Sequence, residues 1–142
     1  TITLAGLANA AAQQSDGVDN SVRLYLDVLL MARVMTTGAA VSSSGTVEFY
    51  GFGDVGAGFR TDTAGAANAA IGTPQNARLI GVLQTNSGST IYGGGPFSIA
   101  NAFGGVMPTS WGVISVNRTG AALHGSASVH LVSFQGYQEQ GV

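Results

Sequence analysis

The chain has 142 residues and a mass of 14.2 kDa; 45% of its residues are apolar, only 8% are charged, and its net charge is −2. Such a length makes one ordinary domain, and high apolar content with low net charge excludes a disordered chain. Spread over an expected surface of roughly 6,800 Å², five basic and seven acidic residues leave a thin charged coat, so the surface is either neutral and polar or partly buried against other protein.

Arg23, Arg33, Arg60, Arg78 and Arg118 are the only basic residues, and lysine is absent. They are dispersed, and without a clustered basic face no direct nucleic-acid binding is expected. Apolar runs such as Val28–Ala32 and Leu79–Leu83 fall far short of the ~20 residues of a membrane-spanning helix, so no membrane partner is expected. Thr1-Ile2-Thr3-Leu4-Ala5 carries no basic stretch of a signal peptide. The lack of cysteine excludes disulfides and thiolate metal sites. Stability must come from a packed core or from association.

In chain order, residues 1–20 are expected to form an extended N-terminal arm. Leu4–Gln14 is alanine-rich, and Leu4 and Leu7 are its main packing residues. From Val22 to Val34 every even position is apolar, a period of two that predicts a strand over Val22–Thr36 with one buried face. Leu29, Met31 and Met35 fall on its other face, beside Arg23, Tyr25, Asp27 and Arg33. A turn at Ser42–Gly45 leads to a strand over Thr46–Tyr50, and Gly51–Gly72, rich in small residues, reads as a long loop. Loops of that length are usually functional or covered by a neighbour. Further strands are expected at Ala77–Thr85, Pro96–Ala100, Ser110–Asn117 and Ala122–Phe134, with a tight turn at Arg118–Gly120 and a tail over 137–142. Short strands separated by glycine-rich turns, with no amphipathic helix between them, predict a single all-β domain over 21–136, an antiparallel β-sandwich or barrel.

No catalytic, cofactor or metal site emerges. Gly51-Phe52-Gly53-Asp54-Val55-Gly56 matches a dinucleotide-binding GxGxxG, but no helix-period stripe follows it and no acidic residue lies at the required distance. A bend at a strand end explains it better. His124 and His130, six apart on one expected strand, would be about 20 Å apart and unable to share a metal ion. The dispersed carboxylates define no acid–base pair, and Asp16–Asn20 lacks the ligand spacing of a calcium loop. Asn117-Arg118-Thr119 matches a glycosylation sequon. Phe97, Phe103 and Trp111 form the main aromatic cluster, expected in the core or, where exposed, as an interface anchor or sugar platform.

Ala77–Leu83, Tyr92–Ser98, Ala102–Pro108 and Trp111–Ile114, with Leu24–Leu30 upstream and Asn117, Thr119–Leu123 and Gln135-Gly136 downstream, together resemble a family of small tailed-bacteriophage virion proteins. The resemblance spans about Val22 to Gly136 and implies a non-enzymatic role in the particle, foremost a head decoration (cement) protein. Such proteins are often jelly rolls that sit outside the shell at capsomer junctions, commonly as trimers. It therefore implies the major capsid protein as partner, self-association as a trimer, and a location on the outer surface of the head. Candidate interface residues are Leu4, Leu7, Phe52, Phe59, Phe97, Phe103 and Trp111. On this reading, removal of residues 1–15 would weaken particle binding and leave the fold intact. A tail, neck or fibre-associated protein and a carbohydrate-binding sandwich are the alternatives.

Overall fold

Alternation along Asp27–Met35 (β3) sets the frame of the molecule, because Val28, Leu30, Ala32 and Val34 are buried while the residues between them point the other way. In the computed structural model, residues 2–38, 41–54, 69–70 and 77–139 are described. Before β3 come Ala11–Gln14 (β1), Val18–Asp19 (β2) and one helical turn, Asn20–Arg23 (α1). After it follow Gly45–Asp54 (β4), Ala69–Ala70 (β5), Arg78–Thr85 (β6), Ile91–Ser98 (β7), the turn Ile99–Ala102 (α2), Ser110–Arg118 (β8) and Leu131–Tyr137 (β9). The strands form two antiparallel sheets, an all-β sandwich. The larger has the order β5-β1-β8-β4-β6 with β2 also on β8, and the smaller the order β7-β3-β9.

Between the sheets lies one core. Val28, Leu30 and Val34 from the smaller sheet meet Val47, Phe49, Trp111 and Val113 from the larger. Each such side chain withdrawn from water is worth about 1.5–3 kcal/mol. The far face of the larger sheet is buried too, by a second cluster of Ala12, Tyr50, Phe52, Ala77, Ile114 and Val116. Gly112 makes room for it: a Cβ there would collide with the Phe52 ring.

Four expectations need correction. Residues 2–20 are not a projecting arm. Leu4 and Leu7 are buried in the core, and β1 hydrogen-bonds to β8 with Ala12 opposite Val116. The alanines that looked like poor packing material are what a strand buried on both faces accommodates, and backbone pairing supplies the rest. Removing residues 1–15 would take a strand out of the larger sheet, so an intact fold is no longer expected of that truncation.

The strand expected from Val22 begins only at Asp27. Asn20 is buried and grips the backbone of Tyr25 twice, its Oδ1 accepting from the Tyr25 N–H at 2.9 Å and its Nδ2 donating to the Tyr25 carbonyl at 3.2 Å. Leu24 turns the chain in the left-handed region, at φ 52°.

The short strand expected over Pro96–Ala100 instead starts at Ile91 and ends at Ser98, where α2 takes over; the glycines before Pro96 belong to it, with Gly94 leaving space for the Leu83 side chain. Finally, Ala122–Phe134 is not one strand. It contains an isolated bridge from Leu123 to Thr36 and a 3-10 turn at Ala127–Val129 before β9 starts. Most of Gly51–Gly72, including Phe59 and Arg60, lies outside the described residues, although Gly51–Asp54 belong to β4.

Candidate functional site

The far face of the larger sheet is buried around Tyr50, Phe52, Ile114 and Val116 and opens at β6, where Val82 is exposed; among the described residues the smaller sheet is covered on one face only. Its outer face is set by alternation: Leu29, Met31, Arg33 and Met35 from β3 point outward, flanked by Leu131, Ser133, Gln135 and Tyr137 of β9 and by Ile91 and Gly93 of β7. Among them Met31 is 47% exposed, Ile91 54%, Leu131 50% and Tyr137 47%. These exposed apolar side chains share the face with polar ones, Leu131 opposite Arg33 and Met31 opposite Ser133, and exposed apolar groups gathered on one face are the kind of surface that marks a protein contact.

The charges at this face are few: a hydrogen-bonded Asp27 and an exposed Arg33. Asp27 Oδ1 accepts from the backbone N–H groups of Val28 and Ala100, and its Oδ2 accepts from the Ser98 hydroxyl at 2.8 Å. Arg33 donates to the Ser128 carbonyl at 3.4 Å, drawing its guanidinium toward the rim. Covering such a face requires little desolvation of charge. Beside the end of β9, Val22, Leu24 and Leu26 project a second exposed apolar group from the Asn20–Tyr25 turn.

The candidates from sequence distribute differently. Leu4, Leu7, Phe52 and Trp111 are buried within this chain and offer no surface to a partner. Phe97 and Phe103 are half-buried against the core, Phe97 stacked on Phe49 with ring centroids 6.1 Å apart. Phe59 lies outside the described residues. With Trp111 only 2% exposed, its indole provides no platform for a sugar ring. The cavity beside it, lined by Ile2, Val18, Leu30, Val132 and Phe134 among others, holds about 100 Å³, against the roughly 300–1,000 Å³ of ligand pockets.

The histidines do come together, because their expected strand breaks, but for structural work. His130 Nε2 lies 2.8 Å from the His124 carbonyl, while its Nδ1 accepts from the Met35 N–H at 3.3 Å. That pairing makes Nε2 the protonated nitrogen. His124 Nδ1 accepts from the Ser126 N–H. Among the described residues no three His, Cys, Asp or Glu side chains converge on a possible metal position.

The sequon asparagine is sealed in. Asn117 is fully buried; its Nδ2 donates to the carbonyls of Leu7 and Ala121, both at 2.8 Å, and its Oδ1 accepts from the Thr119 N–H at 3.0 Å. The folded chain therefore presents no acceptor for a glycan there.

On the outer side of the larger sheet, Glu48 Oε2 accepts from Tyr50 Oη at 2.8 Å and from Arg118 Nε at 3.0 Å. Burial, then the Glu48 carboxylate, pushes the Tyr50 phenol up to about 12. This triad ties β4 to β8, two inner strands of the larger sheet. Sequence reasoning had placed Leu29, Met31 and Met35 on the open side of β3. Ile91, Leu131 and Tyr137 escape it: Ile91 falls in none of the expected strands, Leu131 within the longer Ala122–Phe134, and Tyr137 in the expected tail.

No family model matches the chain, nor does any curated protein or any solved structure.

Proposed function

We propose that the chain is a non-enzymatic virion structural protein that decorates and stabilises a phage head by binding the major capsid protein at subunit junctions on the outer surface. The outer face of β7-β3-β9 is the docking surface in this reading. It carries the argument because large apolar side chains left exposed on one sheet face have a cost in water that a permanent assembly removes. The thin charge of the whole chain agrees with life against other protein. Many modest contacts, repeated around a shell, hold by effective concentration rather than through one deep pocket. The resemblance to small tailed-phage proteins supplies the identity of the partner.

Co-sedimentation of purified protein with undecorated heads tests the reading. Wild-type protein should saturate them, and Met31→Lys and Leu131→Lys should each weaken binding tenfold or more. Ser43→Lys, in an exposed turn away from the face, should bind as wild type. Unchanged binding by both face variants would sink the docking surface. Labelled protein found at the tail or neck in particle images would replace the head with that location.

A further inference from the structure

We propose that β9 is a self-pairing edge: a second copy of this chain adds to it antiparallel about a twofold axis centred on Phe134. Among the described residues, β9 pairs with β3 on one side only. Among those residues nothing pairs with its other edge, a row of N–H and C=O groups that natural proteins blunt with charge, proline, a bulge or shortness. β9 has none of these. It is seven residues long, reads Leu-Val-Ser-Phe-Gln-Gly-Tyr, and pairs with β3 without a shift in register. Residues Ile2–Leu4 run near its start without pairing with it, leaving an open gap.

The occupant is identified by the order of residue types, which reads alike from both ends. With Phe134 opposite Phe134 of a second copy, Leu131 faces Tyr137, Val132 faces Gly136, and Ser133 faces Gln135. Apolar meets aromatic or small, polar meets polar, and no charge meets another. Cross-strand pairs of this kind are the unit of sheet stabilisation. Phe134, 48% exposed although it faces inward onto Trp111, would be covered at the centre of the junction. The exposed Val22, Leu24 and Leu26 beside the end of β9 would extend the contact.

The product is a continuous six-stranded sheet, β7-β3-β9-β9-β3-β7, with the two apolar outer faces side by side. A strand complementary to itself makes an isologous contact, which closes at two copies. A pair therefore replaces the trimer that the resemblance implies. This inference stands on β9 alone and does not depend on the capsid reading.

The mass of the full chain in solution, measured by light scattering across a concentration series, is the first test. Twice 14.2 kDa is expected. A variant with Ser133→Lys and Gln135→Lys places lysine opposite lysine in this register, and one with Ser133→Glu and Gln135→Glu places glutamate opposite glutamate. Both positions are exposed, so circular dichroism should stay unchanged while each variant alone dimerises at least tenfold more weakly. An equimolar mixture of the two should recover the doubled mass. A wild-type mass of one or three chains overturns the proposal. So do variants that remain dimeric alone, or a mixture that fails to pair.

Discussion

Replacing Asn117 offers the sharpest test of how the two halves of the chain are fastened together. Asn117→Ala removes three hydrogen bonds, but their loss is unequal. The Leu7 carbonyl keeps the Leu123 N–H at 3.0 Å, and the Ala121 carbonyl keeps the Thr119 hydroxyl at 2.8 Å. The Thr119 N–H, in a fully buried residue, loses the Asn117 oxygen that it bonds. One orphaned buried donor costs about 1–3 kcal/mol and two further lost bonds about 1 kcal/mol each, so about 3–5 kcal/mol is expected. At a typical urea dependence of about 2 kcal/mol per molar, the unfolding midpoint falls by about 1.5–2.5 M. Fluorescence of Trp111, the single tryptophan and buried, reports that transition. Asn117→Asp should be worse than alanine at pH 7, because it aims a carboxylate oxygen at the Leu7 and Ala121 carbonyls. Those carbonyls hold the new carboxyl protonated to higher pH in the folded chain than in the unfolded one, where it ionises near ~3.9. The excess instability therefore builds as pH rises above that value and vanishes below it. A midpoint within 0.2 M of wild type for Asn117→Ala, or an aspartate variant milder than the alanine one at pH 7, would refute the reasoning.

Alkaline absorbance titration should resolve two of the four tyrosines. Tyr50, raised to about 12, is the last to ionise, and Tyr50→Phe should remove that final step. Because an unfolded tyrosine ionises near ~10, the stability that Tyr50 contributes is whole below that pH and lost as pH climbs to its folded value. Tyr92 is lowered, first by the Asn86 N–H donating to its oxygen, so Tyr92→Phe should remove an early step. Gly136→Ala should cost about 1–3 kcal/mol in urea unfolding, because the added Cβ collides with the Tyr25 ring. A variant as stable as wild type would show that the ring has room to move. Leu24→Gly should raise the melting temperature by a few degrees, since a leucine in the left-handed region costs about 1–2 kcal/mol that glycine does not incur. A lowered melting temperature would show that the exposed Leu24 side chain packs usefully.

What the sequence disclosed follows from which forces act locally. From Val28 to Val34 the alternation is enforced by a core on one side, and burial leaves its mark on every second residue. The same alternation at Val22, Leu24 and Leu26 has no core behind it. There the path is set by two bonds from the Asn20 side chain to Tyr25, which no hydropathy pattern records. Glycine misled at β7, where Gly94 exists for the benefit of Leu83 on the neighbouring strand. The order of strands within each sheet depends on pairings such as Ala12 with Val116, a hundred residues apart, and lies beyond local reading. For the candidate surface, the open side of β3 was legible because its apolar residues alternate with the core set. The contributions of β7 and β9 were not, since they arise only when those strands flank β3.

The pairing of β8 with strands at the opposite end of the chain also governs when this protein can fold. β8 is central to the larger sheet, holding β1, β2 and β4, and it spans Ser110–Arg118. A nascent chain that has not yet reached those residues has no strand to join β1 to β4. Loop closure over such separations is slow, on the scale of milliseconds to seconds for sheets of this kind. Until then Phe49, Phe52 and the apolar residues of β3 remain open to wrong partners, as unfinished chains in a crowded cytosol commonly are. Synthesis rate and chaperone supply therefore bear on how much of this protein reaches its folded state.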